Sequence, residues 1–129
     1  MIPSNPAYVN NESTAKLVWD YTDPNNDLRG IIFSVLVDGN QGKQFKGMLV
    51  KQNGTVLNHS ALSSAYKGRV RIERNATLVI DKITPKDNTE FRCTLVSKSG
   101  RFMINAIQLI VAGLYNTLFY FYFCPHLAV

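Results

Sequence analysis

A chain of 129 residues, 46% of them hydrophobic, buries one core of ordinary size and has no room for a second independent domain. Its net charge of +5 is unevenly spread: residues 1–42 carry Lys16 and Arg29 against Glu12, Asp20, Asp23, Asp27 and Asp38, while residues 43–74 carry seven cations against Glu73 alone. The two histidines, His59 and His126, have no neighbours at the spacing of a metal site or a catalytic triad, so no enzyme activity, cofactor or nucleic-acid partner is expected.

In chain order, residues 1–14 form a lead containing proline and asparagine, with at most a short edge strand near Tyr8. The lead lacks the charged and apolar pattern of a signal peptide, as expected of a fragment of a longer chain or an incomplete gene model. Residues 15–21 (AKLVWDY) read as a strand and residues 22–29 (TDPNNDLR) as a polar loop. Residues 31–37 are nearly all apolar, which predicts a central strand buried on both faces. Residues 38–42 turn it back. Residues 48–51 and 55–58 flank Asn53-Gly54, a strong hairpin signal because both turn positions need positive φ.

The most regular stretch is GRVRIERNATLVIDKITPKDNTEFRCTL, residues 68–95. Val70 and Ile72 share one strand face, as do Ala76, Leu78 and Ile80, and then Phe91, Cys93 and Leu95. A period of two fits half-buried antiparallel strands. The break at residues 81–89 holds Thr84, Pro85, Asp87 and Asn88, a turn-rich crossover too long for a tight hairpin. Residues 98–101 make the next turn and residues 102–111 the last strand. A single sandwich domain is therefore placed at residues 15–112. The tail, residues 113–129, is aromatic and uncharged apart from His126. It is shorter than the roughly 20 residues a membrane helix needs, and Asn116, Pro125 and His126 interrupt it. A non-native terminus, a truncated membrane anchor and a packed extension stay open for it.

The run from the Arg69-Val70 pair through Ala76-Thr77-Leu78-x-Ile80 to Asp87-x-x-x-Phe91-x-Cys93 resembles the immunoglobulin superfamily, and most closely its variable-type (V-set) domains. The resemblance is specific in this stretch and looser over residues 15–111. It implies an all-β, two-sheet Greek-key sandwich of variable type, with the Asn53-Gly54 hairpin as the element that separates variable from constant types. It also implies a pairing of Arg69 with Asp87, and it places Phe91 at the corner-tyrosine position and Cys93 at the second core-cysteine position. Two departures matter. Trp19 occupies the position of the first core cysteine, so the usual inter-sheet disulfide cannot form, and Phe91 lacks the corner hydroxyl. Trp19 and Phe33, the latter at the core-tryptophan position, are expected to fill the space around Cys93. Losing a disulfide costs about 2–5 kcal/mol, which burial of large aromatics can offset. Domains lacking these cysteines are similar to those of invertebrate, especially cnidarian, surface recognition proteins. A bridge between Cys93, pointing inward, and Cys124, outside the sandwich, is not expected.

If Phe33 and Cys93 point inward, then Ile32, Ser34, Leu36, Arg92, Thr94 and Val96 point outward, joined by Gln108. An apolar centre of Ile32, Leu36 and Val96 rimmed by Arg92, Thr94 and Gln108 has the composition of a protein interface, and this face is the one that the variable-type resemblance assigns to domain pairing. Four sequons, at Asn11, Asn53, Asn58 and Asn75, would carry glycans in an extracellular setting. The expected function is cell-surface recognition or adhesion, homophilic or heterophilic, with membrane attachment only through an anchor in the parent protein. The alternatives are an intracellular structural sandwich module, which the missing disulfide favours, and binding of a sulfated glycan along the basic residues 43–74.

Overall fold

The computed structural model describes residues 6–112 and, in their backbone alone, residues 126–128. The strands are β1 (Ala7–Asn10), β2 (Ala15–Val18), β3 (Asp20–Thr22), β4 (Leu28–Gly39), β5 (Gly42–Gln52), β6 (Thr55–Asn58), β7 (Val70–Glu73), β8 (Thr77–Ile80), β9 (Glu90–Ser97), β10 (Phe102–Ala112) and β11 (His126–Ala128), with one 3-10 turn at Pro85–Asp87. One sheet runs β1-β10-β9-β4-β5-β6 and faces a sheet of β2-β8-β7, while β11 lies on β3. All neighbours are antiparallel except β1 on β10 and β11 on β3.

Several local readings are revised. The strand foreseen at residues 15–21 is two strands broken at Trp19, whose N–H still donates to the Ala76 carbonyl at 3.0 Å. β4 starts at Leu28, so the polar loop is shorter than residues 22–29. That strand is also not buried on both faces, since Ile32 and Leu36 are only partly covered on the side away from the core. The Asn53-Gly54 turn has φ of 52° and 77°, the left-handed pair that matches the twist of a two-residue hairpin.

Alternation builds the core. Leu17, Ile31, Phe33, Leu78, Ile80, Phe91, Cys93, Leu95, Ile107 and Leu109 are all buried between the sheets. A bulge opposite Phe33 and Ser34 pairs Phe33 with Leu49 and Ser34 with Gly47, so that Met48 and Leu49 are both buried. Where the resemblance leaves a disulfide out, aromatic packing stands instead. Phe33 is the register partner of Cys93, and the Trp19 ring meets Phe33 at 5.7 Å between centroids with planes tilted by 55°. Burial pushes the Cys93 thiol up, so it stays protonated.

The corner that joins β8 to β9 is held by a buried ion pair. Arg69 Nη1 and Nη2 donate to the two oxygens of Asp87 at 3.0 and 3.1 Å, and the Thr84 N–H donates to the same carboxylate at 2.8 Å. Nothing in the sequence singled out Tyr66. It is buried edge-on against Phe91 at 6.2 Å, lies under the Arg69 guanidinium at 5.0 Å, and brings its hydroxyl close to Asp87. Tyr66 thus supplies, from the loop before β7, a corner hydroxyl that Phe91 lacks. Burial pushes the Asp87 carboxyl up, but the hydrogen bonds from Arg69 and Thr84, the nearby Tyr66 hydroxyl and the Arg69 charge hold it below the usual carboxylate range.

Candidate functional site

Register places one apolar row across the outer face of the six-stranded sheet. Ile104 pairs with Thr94, Thr94 with Ile32, Ile32 with Val50 and Val50 with Leu57. A parallel row holds Phe102, Val96 and Gly30. Phe102 is 65% exposed, Leu57 54% and Ile104 45%, which are large values for apolar side chains on one face. Between them a cavity of 230 Å³ is lined by Gly30, Ile32, Val50, Val96 and Phe102. Gly30 lies close to the neighbouring strand, since a β-carbon there would stand 3.2 Å from the Lys51 carbonyl.

Arg92 crosses the same face. Its row continues through Ser34 and Gly47, with the His59 imidazole over Gly47, and the guanidinium reaches the Phe45 ring at 4.0 Å. The Nε of Arg92 is buried without a hydrogen-bond partner among the described residues. Phe45 in turn stands opposite Leu36.

These positions change the expected rim. Thr94 is 8% exposed and lies between Ile32 and Ile104, and Arg92 lies over Phe45, so neither is peripheral. Cross-strand pairing on both sides covers them, which single-strand alternation does not reveal. Gln108 alone is near the edge, its amide donating to the Leu109 carbonyl at 2.9 Å. Phe45, Val50, Leu57, Phe102 and Ile104 join Ile32, Leu36 and Val96 on the face although the sequence reading did not name them. The signal was available in the alternation of residues 102–108, once paired with β9. β6 extends the sheet beside β5 and does not cover the face.

The outer face of the opposite sheet differs in kind. Lys16 Nζ meets Glu73 at 3.0 Å, and Arg71 bridges Glu73 at 3.4 Å and Asp81 at 2.6 Å. Beneath them Val79 and Thr77 are buried, covered by neighbours on the same face: Val79 pairs with Lys16 and Arg71, and Thr77 with Glu73. The hydrogen bond from Lys16 holds the Glu73 carboxyl below its usual range. Exposed ion pairs add little stability, but they give this face a charged surface.

The seven cations of residues 43–74 do not act as one stripe. Arg69 is committed to Asp87, Arg71 to Glu73 and Asp81, and Lys43 stands 3.6 Å from Asp38. Of the sequons, Asn53 and Asn75 are exposed on turns, Asn58 is exposed on the edge strand β6, and Asn11 is half-buried. Among the described residues no cluster of three His, Cys, Asp or Glu side chains could hold a metal ion, and no helix is long and apolar enough to cross a membrane.

Several solved structures share this arrangement. The first Ig-like domain of human CD48 antigen is similar over 90% of this chain and 88% of its own, with a TM-score of 0.65 and 17% identity. The chain has the immunoglobulin V-type fold. Murine CEACAM1b is similar over 83% of this chain and 52% of its own, with a TM-score of 0.62 and 16% identity. A chain from a structure on T cell specificity and activation by the bacterial superantigen toxic shock syndrome toxin-1 is similar over 83% of this chain and 92% of its own, with a TM-score of 0.60 and 14% identity. No family model and no curated protein matches the sequence.

Proposed function

We propose that this V-type domain is an extracellular recognition or adhesion module that binds a protein partner through the outer face of its six-stranded sheet. The contrast between the two outer faces supports this reading. One presents Phe102, Ile104 and Leu57 to water around the half-buried Ile32, Val50 and Val96, whereas the other is overlaid by the ion pairs of Lys16, Arg71, Glu73 and Asp81. Apolar side chains gathered centrally on one face are stabilised by a partner that removes them from water, and such a centre supplies most of an interface's energy. Arg92 over Phe45 adds a planar cation able to take a partner's carboxylate.

Phe102→Asp tests the reading with little risk to the fold, because the side chain is mostly in solvent. Cells displaying the wild-type chain should aggregate with one another if the partner is a second copy, or bind partner-bearing cells if it is not, and both should be lost in Phe102→Asp and Leu36→Asp but kept in Lys82→Glu. Folded variants with unchanged adhesion would move the site off this face. The extracellular setting rests on the exposed Asn53 and Asn75. Secretion from a eukaryotic host should yield glycans on both by mass spectrometry, and secretion with all four asparagines unmodified would count against it. The buried, unpaired Cys93 favours the second reading, an intracellular structural module, which the same expression experiment separates from the first.

A further inference from the structure

The loop end of the sandwich carries a second cavity, which adjoins the sheet-face notch and shares Arg29, Gly30 and Ile31 with it. A cavity of 420 Å³ opens between the loop after β3, the Asn53-Gly54 turn and the turn after β9, within the range of about 300–1,000 Å³ used by small-molecule sites. Three cations line it, Arg29 from the start of β4, Lys51 from the end of β5 and Lys98 from the turn after β9, against one carboxylate, Asp23.

That carboxylate is already in use. Its two oxygens accept the backbone N–H groups of Asp27 at 2.7 Å and Leu28 at 3.1 Å, which shapes the loop, and it forms no ion pair with the cations, so the lining keeps an excess of positive charge. Lys51 donates to the carbonyls of Arg74 at 3.0 Å and Asn75 at 3.2 Å. These bonds hold its ammonium group in place and, being to neutral carbonyls, leave its charge uncompensated. Among the described residues none of the three cations forms an ion pair. The walls are also fixed in advance: the Lys98 N–H donates to the Asp27 carbonyl at 2.7 Å and the Asn26 N–H to the Asp23 carbonyl at 3.2 Å, so little ordering entropy remains to oppose binding.

The remaining polar lining suits hydroxyls. Asn26 offers an amide that both donates and accepts, and Tyr21 offers a hydroxyl which burial, and then the nearby Asp23 charge, keeps protonated. The space exceeds what a lone inorganic anion fills. We propose that this cavity binds an anionic saccharide, a sugar bearing a carboxylate or sulfate ester whose charge meets Arg29, Lys51 and Lys98 while Tyr21 and Asn26 bond its hydroxyls. This moves any glycan contact from the stripe of residues 43–74 to the loop end, with Lys51 the one cation of that stripe lining the cavity.

The test uses the full chain made in bacteria, so that Asn53 carries no glycan, titrated calorimetrically with 3′-sialyllactose, a heparin-derived tetrasaccharide, lactose and inorganic sulfate. At least one anionic sugar should bind with a Kd of about 1 mM or tighter, about tenfold or more tightly than lactose or sulfate, and should weaken with added salt. Which of the two binds better identifies the anionic group. Lys98→Glu and Arg29→Gln should each weaken it by about tenfold, whereas Leu36→Asp, seven residues along β4 from Arg29 and outside this cavity, should leave it unchanged, which keeps this result separate from that for the sheet face. Equal binding of inorganic sulfate, no binding of either sugar, or binding insensitive to Lys98→Glu but lost in Lys46→Glu or Lys67→Glu would each overturn the proposal.

Discussion

Trp19→Ala removes the side chain that stands where a disulfide would join the sheets. Trp19 is 2% exposed and packs on Phe33 at 5.7 Å, and truncating such an aromatic costs about 3–5 kcal/mol through lost burial and a residual cavity. Loss of the ring pair with Phe33 adds about 1 kcal/mol. One effect works the other way. The Trp19 Nε1 is buried without a hydrogen-bond partner among the described residues, a desolvation cost of about 1–3 kcal/mol that truncation relieves. The net expectation is a loss of about 3 kcal/mol, a large share of the roughly 5–15 kcal/mol that holds a domain folded. In a urea titration with a slope near 2 kcal/mol/M the midpoint should fall by about 1.5 M. Trp19→Phe, which keeps most of the apolar area and deletes the unpartnered N–H, should cost about 1 kcal/mol or less. Cys93→Ala should cost less than Trp19→Ala, because it deletes one sulfur atom and no ring. Equal midpoints for wild type and Trp19→Ala would refute the idea that indole packing replaces the covalent link.

Asp87→Asn should destabilise the fold by about 3–5 kcal/mol, because it leaves the Arg69 guanidinium partly buried and without its charge partner. Since the folded state holds the Asp87 carboxyl below its unfolded value of 3.8, its contribution is fully present above that pH and is lost as pH falls through the lower folded value. Urea titrations at pH 7 and in acid should show the Asp87→Asn penalty shrinking in acid, and a penalty that does not change with pH would contradict the assignment. Gly47→Ala would place a β-carbon 2.4 Å from the His59 imidazole, which is held by the Ala61 N–H donating to Nδ1 at 3.0 Å. The expected cost is about 1–3 kcal/mol, and the double variant with His59→Ala should recover most of it in thermal unfolding.

Alternation of period two was enough to read the strands at residues 70–72, 77–80 and 91–95 and their inward faces, because one buried face fixes which residues must be apolar. The Asn53-Gly54 turn was equally legible, since its dihedral demand is local. The inward and outward sets on β4 and β9 followed from the same parity. What alternation does not carry is which strands lie side by side. Only the register of β10 on β9 and of β6 on β5 placed Ile104 and Leu57 in one row with Ile32 and moved Thr94 from rim to centre. Tyr66 illustrates the same limit: it sits in a loop with no periodicity, and its place against Phe91 and Asp87 depends on a fold that brings residues far apart in the chain together. The loop-end cavity is likewise tertiary, for Arg29, Lys51 and Lys98 belong to three separate strands and turns. Local chemistry in the chain determined the strands, their buried faces and the loss of the disulfide. Long-range pairing alone decided which side chains share a surface, because neighbours across a sheet are set by register and not by sequence distance.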